Sequence, residues 1–225
     1  MVSFKGAQFP REVILHAVFF YVRYAVSYRD LEEILAERGV VVDHATLNRW
    51  VAKYASELAA VAQRRKAPTA LSWRLDETYV KVRGAWCYLY RAVDRNGQTL
   101  DFKLSEHRDE AAALRFLVKA IASIGLPRAC AIDKSVANTA GLNGMNAALG
   151  KVGSDRRIRV YRSKYINNIV EQDHRGVKLR TRPMMGFESF TSAAATLDRI
   201  ETAHMIRKGQ LGIGCPFAIY ASLAA

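Results

Sequence analysis

The sequence predicts an α/β protein in which a helical segment precedes a mixed sheet with flanking helices. Apolar residues recur at helical spacing before residue 63, and they alternate at the strand period of two over 73–104. Helical and strand-like segments then take turns towards the C-terminus. A basic, proline-containing stretch, QRRKAPTALS, separates the two patterns and is typical of a linker. We therefore expect an all-α domain, a linker, a larger α/β domain and a tail of unknown role, over 1–62, 63–72, 73–210 and 211–225.

The first domain is predicted to contain three helices, over 10–26, 27–38 and 40–58. The second opens with Ser27 and Asp30, close to a capping box, and Gly39 follows it as a stop signal. Asp43 is placed to cap the third. Two short helices across a glycine-containing turn are typical of a helix-turn-helix, although such a pair can also be a simple packing unit. On the helix-turn-helix interpretation, the side chains facing the major groove of DNA are those of His44, Thr46, Asn48, Arg49 and Lys53.

The second domain begins with three predicted antiparallel strands that form a meander, over 73–82, 86–93 and 98–104. A helix over 108–123 and a buried strand over 128–133 follow. A helix running to Gly150, a strand over 158–162 and a last helix from Asn167 or Asn168 complete the domain. Three antiparallel strands followed by helix, strand, helix, strand and helix is the element order of a ribonuclease-H-like fold.

Three acids stand where structure alone does not require them. Asp76 lies inside the first strand, Asp133 ends the buried strand, and Glu171 is expected in the first turn of the last helix. In this element order the first and fourth strands are neighbours and the last helix packs beside them, so the three carboxylates should converge. Such a cluster repels itself unless a divalent cation binds. Oxygen ligands suit Mg²⁺ or Mn²⁺, and two such ions can support phosphoryl transfer.

Each acid also has a simpler structural explanation. Asp76 could bond to backbone at a strand end, Asp133 could cap the next helix, and Glu171 could complete a capping box with Asn168. The neighbouring acids Glu77 and Asp173 are expected to point elsewhere, because strand neighbours face opposite sides and helix positions two apart are about 200° apart.

The charge of the chain predicts a nucleic-acid partner. The sequence has 34 Lys and Arg against 21 Asp and Glu, which gives a net charge of +13. Helical spacing from Glu171 predicts a stripe of basic side chains on the last helix. Separately, Lys134 could contact a DNA phosphate beside Asp133. His174 is expected to hydrogen-bond a carboxylate of the site rather than bind metal. The stripe, which could follow the DNA backbone or simply be solvated, consists of Arg175, Lys178 and Arg182.

The cysteines and the apolar runs of the sequence bear on where the protein is located. Three widely spaced cysteines argue against a disulfide framework or a zinc site and favour a reducing, cytoplasmic location, near the nucleoid if DNA is the partner. No apolar run near the N-terminus approaches the roughly 20 residues of a spanning helix. The tryptophans at 50, 73 and 86 are expected in the core.

Several blocks together resemble the short bacterial D-D-E transposases of the insertion-sequence-six family. They are SYRDLEEILAERGVVVDHATLNRWV, WRLDETYVKVRGAWCYLYRAVDRNGQTLDFKLS, DKSVAN, NNIVEQDHRGVKLRTRPMMGFESF and RKGQ, collinear over about residues 3–210. The resemblance implies a helix-turn-helix that binds terminal inverted repeats and a ribonuclease-H-like domain with the metal-binding triad Asp76, Asp133 and Glu171. It further implies cointegrate formation by replicative transposition, with a dimer that joins two DNA ends.

Two features depart from the family pattern. Positions 134 to 170, which separate Asp133 from Glu171, form a slightly longer spacer than expected, and the tail after Gln210 matches nothing in the family. The alternatives are a helix-turn-helix regulator without catalysis, an inactive transposase copy, and a nuclease that does not transfer strands.

Overall fold

The computed structural model describes residues 2–182 and 186–225. In chain order its first helices are α1 (Arg11–Arg23), α2 (Tyr28–Ala36), α3 (His44–Trp50) and α4 (Ser56–Arg65), with a π-helical turn, Val51–Ala55, joining α3 to α4. The strands are β1 (Ser72–Val82), β2 (Ala85–Asp94), β3 (Thr99–Ser105), β4 (Ala129–Ile132) and β5 (Arg159–Arg162). The later helices are α5 (Glu110–Ile124), α6 (Val136–Lys151), α7 (Lys164–Thr181), α8 (Phe190–Arg207) and α9 (Pro216–Ser222).

The chain forms two compact units, and their limits differ from the expected domains. One unit comprises Met1–Ala67 with Thr191–Ala225, and the other is Pro68–Phe190. The stretch 191–210, expected with the sheet, therefore clusters with the N-terminal helices. The tail over 211–225 does the same and carries α9.

Local sequence signals mark both ends of α2 and the start of α3 in the helical unit. Ser27 and Asp30 form the predicted capping box of α2 by accepting each other's backbone N–H groups. Gly39 follows with φ 75°, and Asp43 caps α3 by accepting the Thr46 N–H at 2.8 Å. Apolar side chains from α1, the α3–α4 run, α8 and α9 then share one core, which includes Ile14, Val18, Leu58, Met205 and Tyr220.

The second unit is built on a sheet with strand order β3-β2-β1-β4-β5. β1 to β3 are antiparallel, while β4 pairs parallel with both β1 and β5. This mixed sheet with flanking helices is the predicted ribonuclease-H-like fold. Each predicted strand agrees with an observed one to within one residue at either end, because alternation and turn residues mark strands locally.

The two faces of the sheet are covered differently. Trp73, Leu75 and Tyr90 pack with Phe116 of α5 and Leu142 of α6 in one core. On β1, alternate residues point to the other face, towards α7. There the Asn167 side chain donates to the Leu75 carbonyl at 3.0 Å, which ties α7 to β1.

Three helical segments differ from the sequence-based expectation. The α3–α4 run continues to Arg65, past the expected end at 58 and into the expected linker. α7 begins at Lys164, three residues before Asn167, and its N-terminus lacks the side-chain cap that would have marked it. α8 was not predicted at all. It is buried on every side from Arg199 to Ile206, so its sequence shows no clear apolar stripe. No helix of the described ranges is long and apolar enough to cross a bilayer.

Candidate active site

The three predicted acids line one cavity of the sheet-containing unit. Asp76 lies in the middle of β1, Asp133 follows β4 directly, and Glu171 stands on α7. Leu75 and Ile132 are register partners in the parallel β1–β4 pair, so the next residues along each strand, Asp76 and Asp133, are adjacent. α7 adds Glu171 from the helix that packs over β1. Residues separated by almost a hundred positions therefore line the same cavity because of the strand order and the packing of α7.

The simpler explanations of these acids do not apply. Asp76 is not at a strand end. Ser135, not Asp133, is the N-cap of α6, and Asp133 instead accepts the Ser135 N–H at 2.8 Å. Glu171 lies about two turns inside α7, so it cannot complete a capping box, and the expected first-turn position was wrong.

His174 lies against Asp76. Its Nε2 is 3.1 Å from Asp76 Oδ2, and both side chains are largely buried. His174 is one turn after Glu171 on α7 and lines the same cavity. It is therefore placed to hold the Asp76 carboxylate in one orientation, as its spacing from Glu171 led us to expect.

Glu77, which was expected to point elsewhere, also lines this cavity, and it has a structural role that the sequence did not indicate. Its buried carboxylate accepts hydrogen bonds from Arg108, from the Ser135 hydroxyl at 3.1 Å and from the Asn138 amide. These partners lie far away in sequence, so no local pattern could have revealed them. Burial works against the charge on Arg108, but the hydrogen bond and charge of Glu77 outweigh it and raise the pKa of Arg108.

The basic stripe is only partly at the cavity. Arg175 and Lys178 line it beside Glu171. Arg182 is exposed and instead lines a neighbouring groove with Tyr79 and Trp86. Trp86 was wrongly expected in the core: it is 60% exposed and contacts the Tyr79 ring edge-on. Lys134 is exposed beside Asp133 but is not among the residues that line the cavity.

The predicted DNA-reading residues lie on α3 and the π-helical turn of the helical unit. His44, Asn48, Arg49 and Lys53 are exposed, and Thr46 is half-buried. The structure also gives two of them local partners. His44 Nδ1 lies 3.2 Å from Glu32 of α2, and Arg49 donates to the Thr46 hydroxyl at 2.7 Å.

The donor chemistry of the cavity fits a hard divalent cation. Asp76, Asp133 and Glu171 supply only carboxylate oxygens, and the Glu171 side chain is exposed with no hydrogen bond or ion pair to any described residue. Within residues 2–182 and 186–225, however, no three His, Cys, Asp or Glu side chains lie close enough to share one metal ion. The three acids therefore suit a divalent cation in the type of their ligand atoms and in the cavity that they share.

Comparison with protein families gives a match over most of the sheet-containing unit. A family model described as a DDE domain, of the IS240 transposase type, matches residues 70–210. The chain is 40% identical over 212 residues to the transposase for insertion sequence-like element IS431mec of Staphylococcus aureus strain Mu50. The match covers 92% of this chain and 90% of that relative. The transposase for insertion sequence element IS257 in transposon Tn4003, also from S. aureus, matches with the same identity and coverage.

Solved structures with a similar arrangement include retroviral integrase cores. The HTLV-2 integrase catalytic core domain in complex with magnesium aligns with a TM-score of 0.47 at 13% identity, covering 69% of this chain and 99% of that one. The catalytic core domain of BIV integrase aligns with a TM-score of 0.45 at 18% identity, covering 68% and 95%.

Proposed function

The chain belongs to the insertion-sequence-six family of DDE transposases, and on that premise we propose that it binds terminal inverted repeats and catalyses metal-dependent DNA cleavage and strand transfer. One observation carries the proposal. Acids from β1, β4 and α7 line a single cavity together with the cations Arg175 and Lys178. Carboxylates next to cations suit a phosphodiester substrate whose reaction needs metal ions.

Asp76, Asp133 and Glu171 are the residues that would hold Mg²⁺ or Mn²⁺, and two ions would suit the reaction. Bound there, the ions would lower the pKa of the attacking hydroxyl and stabilise charge on the leaving oxygen. The chain itself contributes rigid placement. Asp76 is fixed by a central strand and by His174, which keeps its carboxylate oriented.

Catalysis on the protein side consists of positioning and charge stabilisation. Arg175 and Lys178 face the cavity, where they would contact DNA phosphates near the reacting bond. Water attacks first, and the freed 3′-hydroxyl of DNA then attacks the target in line, with no covalent bond between protein and DNA.

The helical unit supplies end recognition in this proposal. Its exposed α3 residues read the terminal repeats, while Lys134, Arg175, Lys178 and Arg182 bind phosphates along the strand. A homodimer, or a larger synaptic assembly, would bring two ends together for replicative, cointegrate-forming transposition. Work on chromosomal and plasmid DNA would place the protein at the nucleoid.

The test is a joining assay with the full chain. Duplexes that carry the terminal repeats are incubated with a target plasmid in Mg²⁺, in Mn²⁺ and in EDTA. We expect end-specific nicking and joining in both metals and neither in EDTA. Nicking without joining would favour the nuclease alternative. Specific binding without nicking in either metal would favour a regulator or an inactive copy.

A further inference from the structure

Arg108 is a cation of the cavity that the sequence did not single out and that the proposed chemistry has not used. It lies between β3 and α5, and it lines the cavity together with Asp76, Asp133 and Glu171. An exposed arginine on a connecting segment is usually mobile and binds nothing specific. Arg108 differs because its guanidinium is fixed.

The fixing residue is Glu77. Its carboxylate Oε1 accepts from Arg108 Nε at 2.7 Å and lies 2.6 Å from Arg108 Nη2. The Glu77 side chain is 3% exposed and is itself held by Ser135 and Asn138 at the start of α6. Arg108 Nη1 also donates to the Tyr79 hydroxyl at 3.3 Å. The guanidinium is therefore oriented from both sides before any ligand arrives.

These contacts leave hydrogen-bonding capacity on a side chain that lines the cavity. A guanidinium has five N–H groups, and the contacts to Glu77 and Tyr79 use three of those of Arg108. The Arg108 side chain is 39% exposed although its partner is buried. The planar fork of arginine matches the oxygens of a phosphate group.

We propose that Arg108 binds the scissile phosphate of the DNA substrate, beside the three acids, and that Glu77 is the residue that positions it. The assignment rests on the proposed function, since it takes the ligand to be a phosphodiester. It adds a phosphate-binding group from the β3–α5 connection to the two cations that α7 supplies. The phosphate would lie between the carboxylates and Arg108.

The first test compares Arg108→Lys with wild type in the joining assay at saturating end DNA. Lysine keeps a positive charge opposite Glu77, so the fold should be kept. It lacks the planar guanidinium that matches the oxygens of a phosphate. We expect joining to slow by about 10- to 100-fold, with end binding weakened far less than joining and the circular dichroism spectrum of the folded protein retained. On DNA with a neutral methylphosphonate at the scissile position, the same substitution should cost much less, because the contacted charge is already gone.

The control is Arg115→Ala, which removes an exposed arginine from α5 that does not line the cavity. It should join like wild type on both substrates. Normal joining by Arg108→Lys, or an equal loss on both substrates, would overturn the role of Arg108 while leaving the proposed function intact. An inactive wild type would overturn both.

A second measurement needs no variant. Phenylglyoxal modifies accessible arginines, and mass spectrometry of the wild-type protein reports each site. End DNA should protect Arg108 and leave Arg115 reactive. Equal modification of Arg108 with and without DNA would contradict the proposal.

Discussion

The carboxylate of Asp173 forms a buried ion pair with Arg91. Asp173 Oδ2 lies 2.8 Å from Arg91 Nη2, and the Asp173 backbone carbonyl also accepts from Arg91 Nη1 at 3.1 Å. Arg91 is fully buried on β2, where it is the register partner of Asp76. Asp173 is two residues from Glu171 on α7. The pair therefore ties the helix that carries Glu171 to the strand beside Asp76.

Asp173→Asn should destabilise the protein. The substitution leaves the buried charge of Arg91 without this carboxylate, and breaking a buried ion pair costs about 3–5 kcal/mol. Urea unfolding followed by circular dichroism measures the loss as a lower midpoint. Asp155→Asn, at an exposed position of the same unit, should change stability by less than about 0.5 kcal/mol. Equal midpoints for both variants would show that the pair does not hold α7 in place.

A second stability prediction concerns the α5–α6 contact. A Cβ built on Gly141 would lie 2.9 Å from the Ala113 Cβ and 3.2 Å from the Leu114 backbone nitrogen. Gly141→Ala should therefore push the helices apart and cost about 1–3 kcal/mol. Thermal unfolding checks it.

The matched control for that substitution is Gly144→Ala, one turn along α6. There the nearest atom is the end of the flexible Glu110 side chain, at 3.3 Å. Alanine should be neutral or stabilising by up to about 1 kcal/mol, since it favours helix over glycine. Equal losses at both positions would contradict the close-packing argument.

The strands and the shared cavity of the three acids could be predicted from sequence because their information is local. Alternation marked β1, and polar residues inside or after apolar strands marked Asp76 and Asp133. The element order then brought them together. The roles of the acids as metal ligands and of the α3 residues in DNA recognition stay predictions.

The contacts that support the site could not be predicted. Glu77 with Arg108, and Asp173 with Arg91, join residues 31 and 82 positions apart. Neither pair produces a periodic pattern in the sequence, so Glu77 and Asp173 could be identified only as charged neighbours of the proposed triad. α8 was missed for a related reason, since burial on all sides removes the polar face that identifies a helix.

The recognition helix makes a prediction about specificity. Asn48→Ala and Arg49→Ala should each reduce the preference for end DNA over unrelated DNA, since a lost base contact costs about 1–3 kcal/mol. Gel shifts against both DNAs measure the ratio. The control is Arg64→Ala, which removes an exposed arginine from α4. If it weakens binding, it should weaken it equally for both DNAs, so that the ratio of the affinities is unchanged. If the ratio is unchanged in all three variants, α3 does not read the repeats.

The basic stripe makes a prediction about salt. Arg175 and Lys178 are exposed on α7, and Arg182 is exposed directly after its end. If each neutralises a DNA phosphate, the slope of log affinity against log salt should be shallower by about 0.9 for each residue changed to alanine. Titrations between low and physiological salt measure the slope. The control is Lys151→Ala, which removes an exposed lysine at the end of α6 and should leave the slope unchanged. The same slope for the stripe variants and the control would show that the stripe is only a solvated face.

The sharpest prediction concerns Glu171. Glu171→Gln keeps the size of the side chain on an exposed helix position and removes one negative charge from the cavity. If the carboxylate holds a metal ion, cleavage and joining should fall by about 100-fold or more, while end binding persists or improves slightly because repulsion of phosphate is reduced. Asp76→Asn and Asp133→Asn should behave alike. End-specific cleavage in Mg²⁺ and Mn²⁺, beside gel shifts, measures both properties.

The control for Glu171 must be an acid whose loss leaves the fold intact. Asp173 was the natural choice on sequence grounds, but its ion pair with Arg91 makes an inactive Asp173→Asn variant uninformative about chemistry. Glu188→Gln serves better, because this glutamate is exposed in the same unit and does not line the cavity. It should cleave like wild type. If Glu171→Gln cleaves equally well while Asp76→Asn and Asp133→Asn do not, the third metal ligand is another residue. If all three site variants remain active, the metal-triad mechanism is wrong.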